Sequence, residues 1–469
     1  MGQEIDSEEF SVEDFERFQQ CLRSELELLR RWFDEGKFCD EGDFVGLELE
    51  AWLVDLQGLP APDNTLFLNT LDRKWVVPEL SKFNFEVNVA PQPIKGSGLA
   101  NMRSELRATW HRCMEVAQRM EHRVVAIGIL PTLRNAMLNV SNMSPLKRYA
   151  ALNRQVISLR RGKPLVLEIE GQDRLRVTHH DLMLESAATS VQVHLKVAQR
   201  ESVRFYNASL IASSLTVAMA ANAPLLFGRR LWSDTRIPVF EQSVDIGSEL
   251  PRVSFADHYV RESLYELFAE NVSRHRVLLP VVLEEGPARM PYTRMHNGTI
   301  WPWNRPLIGF ESDGTPHLRI EHRPMSASPS MADLFADVIL YLGLVYYLAR
   351  LPRPPEEAMP IATARENFYR AARDGLPAEI HWLDGKVYSA AALLQTQLLD
   401  HGCEALIRNG MAADEVAAAE KILRQRLDRM QNGAVWQTRK FDAYSGDTHA
   451  VLREYMQNQS NGNPVAEWV

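Results

Sequence analysis

The stretch FVGLELEAWLVD, residues 44–55, decides the fold. It alternates strictly, with Val45, Leu47, Leu49, Ala51 and Leu53 pointing one way and Glu48 and Glu50 the other. Side chains at i and i+2 share one face of a strand, so the stretch predicts a strand with an apolar and an acidic face. Two glutamates so placed repel each other unless a cation sits between them, and carboxylate oxygens are what Mg²⁺ prefers.

Three further stretches repeat the pattern. In FNFEVNV, residues 83–89, Phe83, Phe85, Val87 and Val89 oppose Asn84, Glu86 and Asn88. In TSVQVHLKV, residues 189–197, Val191, Val193, Leu195 and Val197 oppose Gln192 and His194. In HLRIEHR, residues 317–323, Leu318, Ile320 and His322 oppose Arg319, Glu321 and Arg323. If the apolar faces align in one sheet, the other face gathers Glu48, Glu50, Glu86, Glu321, His194, Arg319 and Arg323. For any single strand a solvated surface is the better explanation. Together the residue types suit hard cations and phosphate, because histidine can complete a metal shell and an arginine fork matches phosphate or carboxylate oxygens.

Around these strands the apolar spacing turns helical. Ser11 is placed to cap a helix carrying Phe15, Phe18, Leu22, Leu26, Leu29 and Phe33, which Gly36 stops. Pro91 and Pro93 are expected to break the chain before a helix over about Leu99–His122. RVVAIGIL, residues 123–130, reads as a buried strand, and PLVLEIEG with DRLRVTHHDL as a hairpin. Helices follow at about Phe205–Ala221 and Met331–Leu351. The apolar run inside the latter, Val338–Ala349, falls short of the roughly 20 residues of a membrane span and is expected in the core. Beyond Pro352 the pattern is helical, with RPPEEAMP as a linker and the polar tail QNQSNGNPVAEWV, residues 457–469, expected to be loose. This divides the chain into a catalytic body, residues 1–351, and a helical region, residues 352–469, packed on it. Strands and helices do not form regular βαβ units, and no GxGxxG or GxxxxGK[ST] turn appears. The class is α+β, a largely antiparallel sheet covered by helices on one face.

Composition narrows the function. The 469 residues correspond to roughly three domain-equivalents. With 45% hydrophobic and 24% charged residues, the chain can bury a core and is not disordered. Lys+Arg number 52 against 61 Asp+Glu, a net charge of −9, the reverse of what nucleic-acid binding asks. Cys21, Cys39, Cys113 and Cys403 form no CxxC pair, which argues against a disulfide framework or thiolate zinc site and fits a reducing cytosol. The opening MGQEIDSEEF has no apolar signal core, and Asp6 stands where a myristoylation motif wants Ser or Thr. Cytoplasmic location, with neither nucleic acid nor membrane as partner, is the expectation.

GLELE (46–50), FEVNVAP (85–91), SVQVH (190–194), ANAPLLFG (221–228), GTIWPWNR (298–305) and RIEHR (319–323) together resemble the glutamine-synthetase-like carboxylate–amine ligases. The match is closest to the glutamate–cysteine ligases of plants and many bacteria. The resemblance implies a cup-shaped sheet whose concave face holds two or three Mg²⁺ ions against the phosphates of ATP. Glu50 and Glu86 would share one ion, and Glu48, His194 and Glu321 another. Arg319 and Arg323 would grip the transferred phosphate or a substrate carboxylate. Arg236 and Arg305 become nucleotide or phosphate contacts, although Trp301 and Trp303 give the second segment a packing role as well. Arg148 and Tyr149, with Asn88 and Gln192, fall on the substrate side; the Arg148–Tyr149 pair reads equally as a surface pair at a helix start.

The implied chemistry is ATP-dependent formation of γ-glutamyl phosphate, followed by attack of an amine, with cysteine the family's acceptor. A ligase for another amine, a metal-dependent hydrolase and a non-catalytic Mg-ATP-binding relative remain alternatives, and a homodimer is compatible. The sequence departs from the plant enzymes in the inserted GFESDGTPHL, residues 309–318, and in lacking a recognisable regulatory cysteine pair. An acyl phosphate needs shielding from water, so a mobile loop over the cup is expected. His179, His180 and Asp181 read as a hairpin end rather than a metal cluster, and Glu168 and Glu170 as a solvated edge.

Overall fold

The computed structural model describes residues 4–247 and 251–469. One sheet dominates, built from β1 (Phe44–Asp55), β2 (Val76–Pro78), β3 (Asn84–Pro93), β4 (His122–Val125), β5 (Ser190–Val197), β6 (Asn304–Phe310) and β7 (Pro316–Ser326). Its order is β6-β7-β5-β1-β3-β2, and β4 takes the end of the β1 edge that β5 leaves open. Every pairing is antiparallel, as the α+β reading expects, and the sheet curls into a half-barrel, the cup that the resemblance implies.

The register aligns the polar faces. Glu50 lies opposite Glu86, and Glu48 opposite both Asn88 and Gln192. His194 lies opposite Glu321, which in turn faces Arg305. Directly paired residues share a face, so the acids, the imidazole and the arginines converge. The reverse face is apolar apart from one histidine, with Leu47, Leu49, Phe85, Val87, Val193, Leu195, Leu318 and Ile320 all buried. His322 also lies there, fully buried, bonded to Thr216 and Asn304 and stacked on Tyr341.

Helices cover that reverse face. Gly98–Arg119 lies along β3 and buries Leu99, Met102, Leu106, Cys113 and Val116, the predicted stripe. Ser202–Ala220 lies on β7 and is itself covered by Met331–Ala349. The latter is the one helix among the described residues long and apolar enough to cross a membrane, but it is buried inside the protein. Its Asp333 and Asp337 form buried ion pairs with Arg426 at 2.7 and 2.5 Å, tying the C-terminal helix Ala413–Arg429 to the core. It also meets Leu399–Arg408 at Gly343 and Gly402, where a Cβ on either would stand 3.1 Å from the other's backbone. The N-terminal helix Val12–Asp34 starts at the Ser11–Asp14 capping box, as its sequence predicts.

Four expectations need correction. Pro91 and Pro93 do not break the chain: β3 runs to Pro93, pairing with β1 through a bulge. Past Val87 no strand pairs with the other edge of β3, and an edge needs no donor from proline. RVVAIGIL is strand only to Val125, because β5 already occupies the adjoining edge of β1. Its next carbonyls go instead to side chains, that of Ala126 to Tyr455 and Gln459 and that of Ile127 to Trp52. The tail is not loose: Trp468 packs edge-on against Trp436 and Tyr455, and the backbone N–H of Val465 donates to Asp333 at 2.9 Å. The C-terminal region also contains a small hairpin, Glu379–His381 with Val387–Ser389, that helical periodicity hides.

Candidate active site

Two groups of metal-ligating side chains lie side by side on the polar face. Glu48, His194 and Glu321 form one and Glu50, Glu79 and Glu86 the other, with the ligand atoms of each group within 4.8 Å of one another. The strand β1 supplies one glutamate to each group, at i and i+2. These are the two groupings expected from sequence, with Glu79 added. Glu79 follows β2 directly, where the pairing of Val77 with Glu86 brings the chain alongside. It belongs to no alternating run, so no sequence signal marks it.

In the first group, His194 Nε2 stands 3.1 Å from Glu48 Oε1 and 3.8 Å from Glu321 Oε1, yet neither ring nitrogen makes a well-angled hydrogen bond. Arg305 clamps Glu321 bidentately, at 2.7 and 2.9 Å, and Arg323 adds a third contact at 3.1 Å. In the second group, Glu50 accepts from the Ser190 N–H at 2.6 Å and from Gln192 Nε2 at 2.8 Å, and Gln192 Oε1 accepts from Arg323. Glu86 accepts from Asn88 Nδ2 at 2.7 Å. Asn88, Gln192 and Arg305, assigned to substrate or nucleotide from sequence, are thus engaged in holding the acids.

The remaining arginines differ in freedom. Arg319 has no hydrogen-bond or ion-pair partner among the described residues, and its guanidinium feels the charges of Glu48 and Glu321. Arg236 is buried, packs over Trp303 and donates to the carbonyls of Arg323, at 3.3 Å, and Pro324. It braces the backbone that carries Arg323. Arg148 donates to Tyr149 Oη at 2.9 Å, and that hydroxyl donates to the Pro78 carbonyl at 3.3 Å. The pair therefore lies against the segment leading into Glu79.

Lys196, one step further along the alternation of β5, escaped the sequence reading. It reaches Glu311 at 2.6 Å, within the inserted GFESDGTPHL, which forms the turn between β6 and β7. The bland readings elsewhere hold: His179 bonds Asn135, and Asp181 caps the turn after the hairpin.

The two groups differ electrostatically. Burial pushes the Glu48 carboxyl up, but His194 more than reverses this and holds it at about 2. Burial likewise opposes ionisation of Glu321, and Arg305 and Arg323 together pull it well below the usual carboxylate range. In the second group burial wins. It drives Glu86 up to about 8, with the Glu48 and Glu50 charges adding to it, and it raises Glu79 well above normal with help from Glu86 and Glu50. The first group is compensated by protein cations; in the second, Arg323, Arg236 and Arg148 only partly offset burial and mutual repulsion.

Both fit Mg²⁺. A shell near 2.0–2.1 Å places neighbouring ligand oxygens within the spacing seen, and carboxylates are its preferred donors. Among the described residues, the buried His194 ring makes no hydrogen bond and the Glu79 carboxylate no ion pair, so both are donors open to a cation. The clamp on Glu321 leaves a lone pair free on Oε1, which accepts one hydrogen bond, whereas Oε2 already accepts two.

A curled antiparallel sheet with these acids and arginines on its polar face fits an ATP-dependent carboxylate–amine ligase, the class to which the family match assigns the chain. More narrowly, the chain belongs to glutamate–cysteine ligase family 2, which matches residues 44–460. Among solved structures, the glutamate–cysteine ligase of Francisella tularensis in complex with AMP aligns with a TM-score of 0.52 at 11% identity, over 90% of each chain. The bifunctional glutathione synthetase from Pasteurella multocida gives 0.50 at 13% identity, over 95% of this chain and 55% of that one. At these identities the likeness is one of fold. No curated protein matches the sequence.

Proposed function

We propose that this ligase joins the γ-carboxylate of glutamate to an amine through γ-glutamyl phosphate, with cysteine as the acceptor, the reaction that opens glutathione synthesis. The observation that carries this is the unpartnered guanidinium of Arg319, set beside two adjoining carboxylate groups on one face. Glu48, His194 and Glu321 would hold one Mg²⁺, and Glu50, Glu79 and Glu86 another. Such a pair supplies neutralisation of phosphate oxygens and clamps the attacking and leaving oxygens of the transferred group.

Phosphoryl transfer asks the protein mainly for position and opposite charge. Arg319, without a hydrogen-bond partner among the described residues, takes the transferred phosphoryl oxygens. Arg323, already spanning Glu321 and Gln192, lies between the two groups and offers its remaining donors to the same phosphate or to a substrate carboxylate. Arg305 acts through Glu321 by fixing both its oxygens. Asn88 and Gln192 orient Glu86 and Glu50. Arg236 holds the strand behind Arg323, and Arg148 with Tyr149 sets the approach to Glu79.

The test is ADP release from ATP and glutamate across a panel of natural amino acids and biogenic amines. Stimulation by cysteine above all others is the expected result. If no acceptor raises ADP release, the ligase assignment to glutamate fails.

A further inference from the structure

Behind the second carboxylate group lies a small cavity lined by Glu50, Glu79, Asn84, Glu185, Ser186 and Thr189. Its free volume is about 10 Å³, room for one particle the size of water or ammonium. Glu185 enters from the short turn Leu182–Ala187. Its carboxylate makes no hydrogen bond or ion pair among the described residues. Asn84 is only 2% exposed, and its Nδ2 has no partner, while its Oδ1 accepts from Ser81. A serine hydroxyl both donates and accepts, so either orientation of the amide leaves one polar end for the cavity.

Glu185 is surplus to the metal group. Glu50, Glu79 and Glu86 already offer a divalent ion three carboxylates, and Glu185 adds a fourth on the cavity wall. A second Mg²⁺ keeps several waters in an octahedral shell, for which the cavity is too small. A primary ammonium is compact, carries a single charge and presents three donors, matched here by the carboxylates of Glu185 and Glu79 and, with the Asn84 amide turned so that Nδ2 meets Ser81, by its Oδ1. Because Glu50 belongs to both the metal group and the cavity wall, such an ammonium would sit next to the reacting centre.

From this geometry we infer that Glu185, with Glu79 and Asn84, forms a subsite for the primary ammonium group of a substrate. The inference rests on the ligase function proposed above and deepens it. Two substrates carry such a group, glutamate at its α-carbon and the acceptor at its attacking nitrogen.

Calorimetric binding to the whole protein, with Mg²⁺ and a non-hydrolysable ATP analogue present, separates the sources. Glutamate is compared with glutarate and cysteine with 3-mercaptopropionate; in each pair the second compound lacks only the ammonium. The wild type should favour the ammonium-bearing member of at least one pair by about 10–100-fold, the scale of a lost charged hydrogen bond. Glu185→Gln should collapse that preference to within about 3-fold, leaving the ATP analogue's affinity unchanged. Loss in the first pair assigns the α-ammonium of glutamate; loss in the second assigns the attacking amine. The inference is overturned if neither pair is discriminated by the wild type, if discrimination survives in Glu185→Gln, or if that variant weakens Mg²⁺ binding instead. Should Glu185→Gln not fold, Glu185→Asp, which keeps the charge but retracts it, must still reduce the preference, and an unchanged preference overturns the inference. Failure of the ligase function looks different: ammonium discrimination persists, but no acceptor stimulates ADP release.

Discussion

Glu48 and Glu50 stand two residues apart on β1 and face the same way, yet their surroundings drive them in opposite directions. Burial pushes both up; His194 reverses this for Glu48 and holds it at about 2, while Arg323 and Arg236 only partly offset it for Glu50. One strand thus feeds a charge-balanced group and a cation-deficient one. That asymmetry separates the effects of removing acids from the two groups.

The Glu79 carboxylate makes no hydrogen bond or ion pair among the described residues, and the repulsion of Glu86 and Glu50 outweighs the attraction of Arg148. Glu79→Gln should therefore raise the melting temperature of the metal-free protein at pH 8. It should also shrink the stabilisation that Mg²⁺ confers and cut turnover by at least about 100-fold, the scale of losing an electrostatic contact to phosphoryl transfer. Thermal melts with and without Mg²⁺ check both parts. An unchanged response to Mg²⁺ would remove Glu79 from the metal group.

Arg319 and Arg305 are near neighbours across β7 and β6 but should fail differently. Arg319→Ala removes a group with no protein partner, so turnover should fall about 100–1000-fold with little change in melting temperature. Arg305→Ala leaves the buried carboxylate of Glu321 with Arg323 alone and should cost about 3 kcal/mol of stability, the lower end for breaking a buried pair, as well as activity. Melting curves paired with ADP release distinguish the two. Equal destabilisation by both would contradict the assignment of Arg319 as the free guanidinium.

Most of the acidic face was legible because strand alternation is local: Glu48, Glu50, Glu86, His194 and Glu321 each announce their face within a few residues. Glu79 and Glu185 lie on short irregular segments whose position is fixed by distant contacts, so nothing in their neighbourhood marks them. The engagement of Arg305 with Glu321 depends on the register between β6 and β7, which spacing alone does not fix. The tail misled for a similar reason. Its composition is polar, but Trp468 finds Trp436 and Tyr455, residues that the sequence gives no cause to bring together.

Deleting residues 465–469 should therefore destabilise the whole protein. Val465 and Trp468 are buried, the Val465 N–H bonds Asp333, and Gln431 donates to the Val465 and Trp468 carbonyls at 2.7 and 2.9 Å. Loss of that apolar burial and exposure of those polar groups should cost on the order of 3–5 kcal/mol. A denaturant midpoint identical to that of the intact chain would show that the tail contributes nothing.

Away from the metal groups, Glu241 gives a clean dependence on pH. Burial raises its carboxyl to about 7, against the hydrogen bonds that Trp303 and Tyr369 donate at 2.8 and 2.7 Å. The native state therefore keeps a proton that the unfolded chain has already lost above its own pKa near 4.3. Between those two values the native state binds more protons, so its stability falls as pH rises from about 4 to about 7. Glu241→Gln keeps the oxygen that accepts both hydrogen bonds and removes the charge. It should leave the melting temperature at pH 4 nearly unchanged and raise it at pH 8 by roughly 3–5 °C, as expected for a gain of about 3–4 kcal/mol. Melts across this range decide the matter: a gain at pH 8 no larger than at pH 4 would mean that Glu241 ionises at little cost in the folded protein.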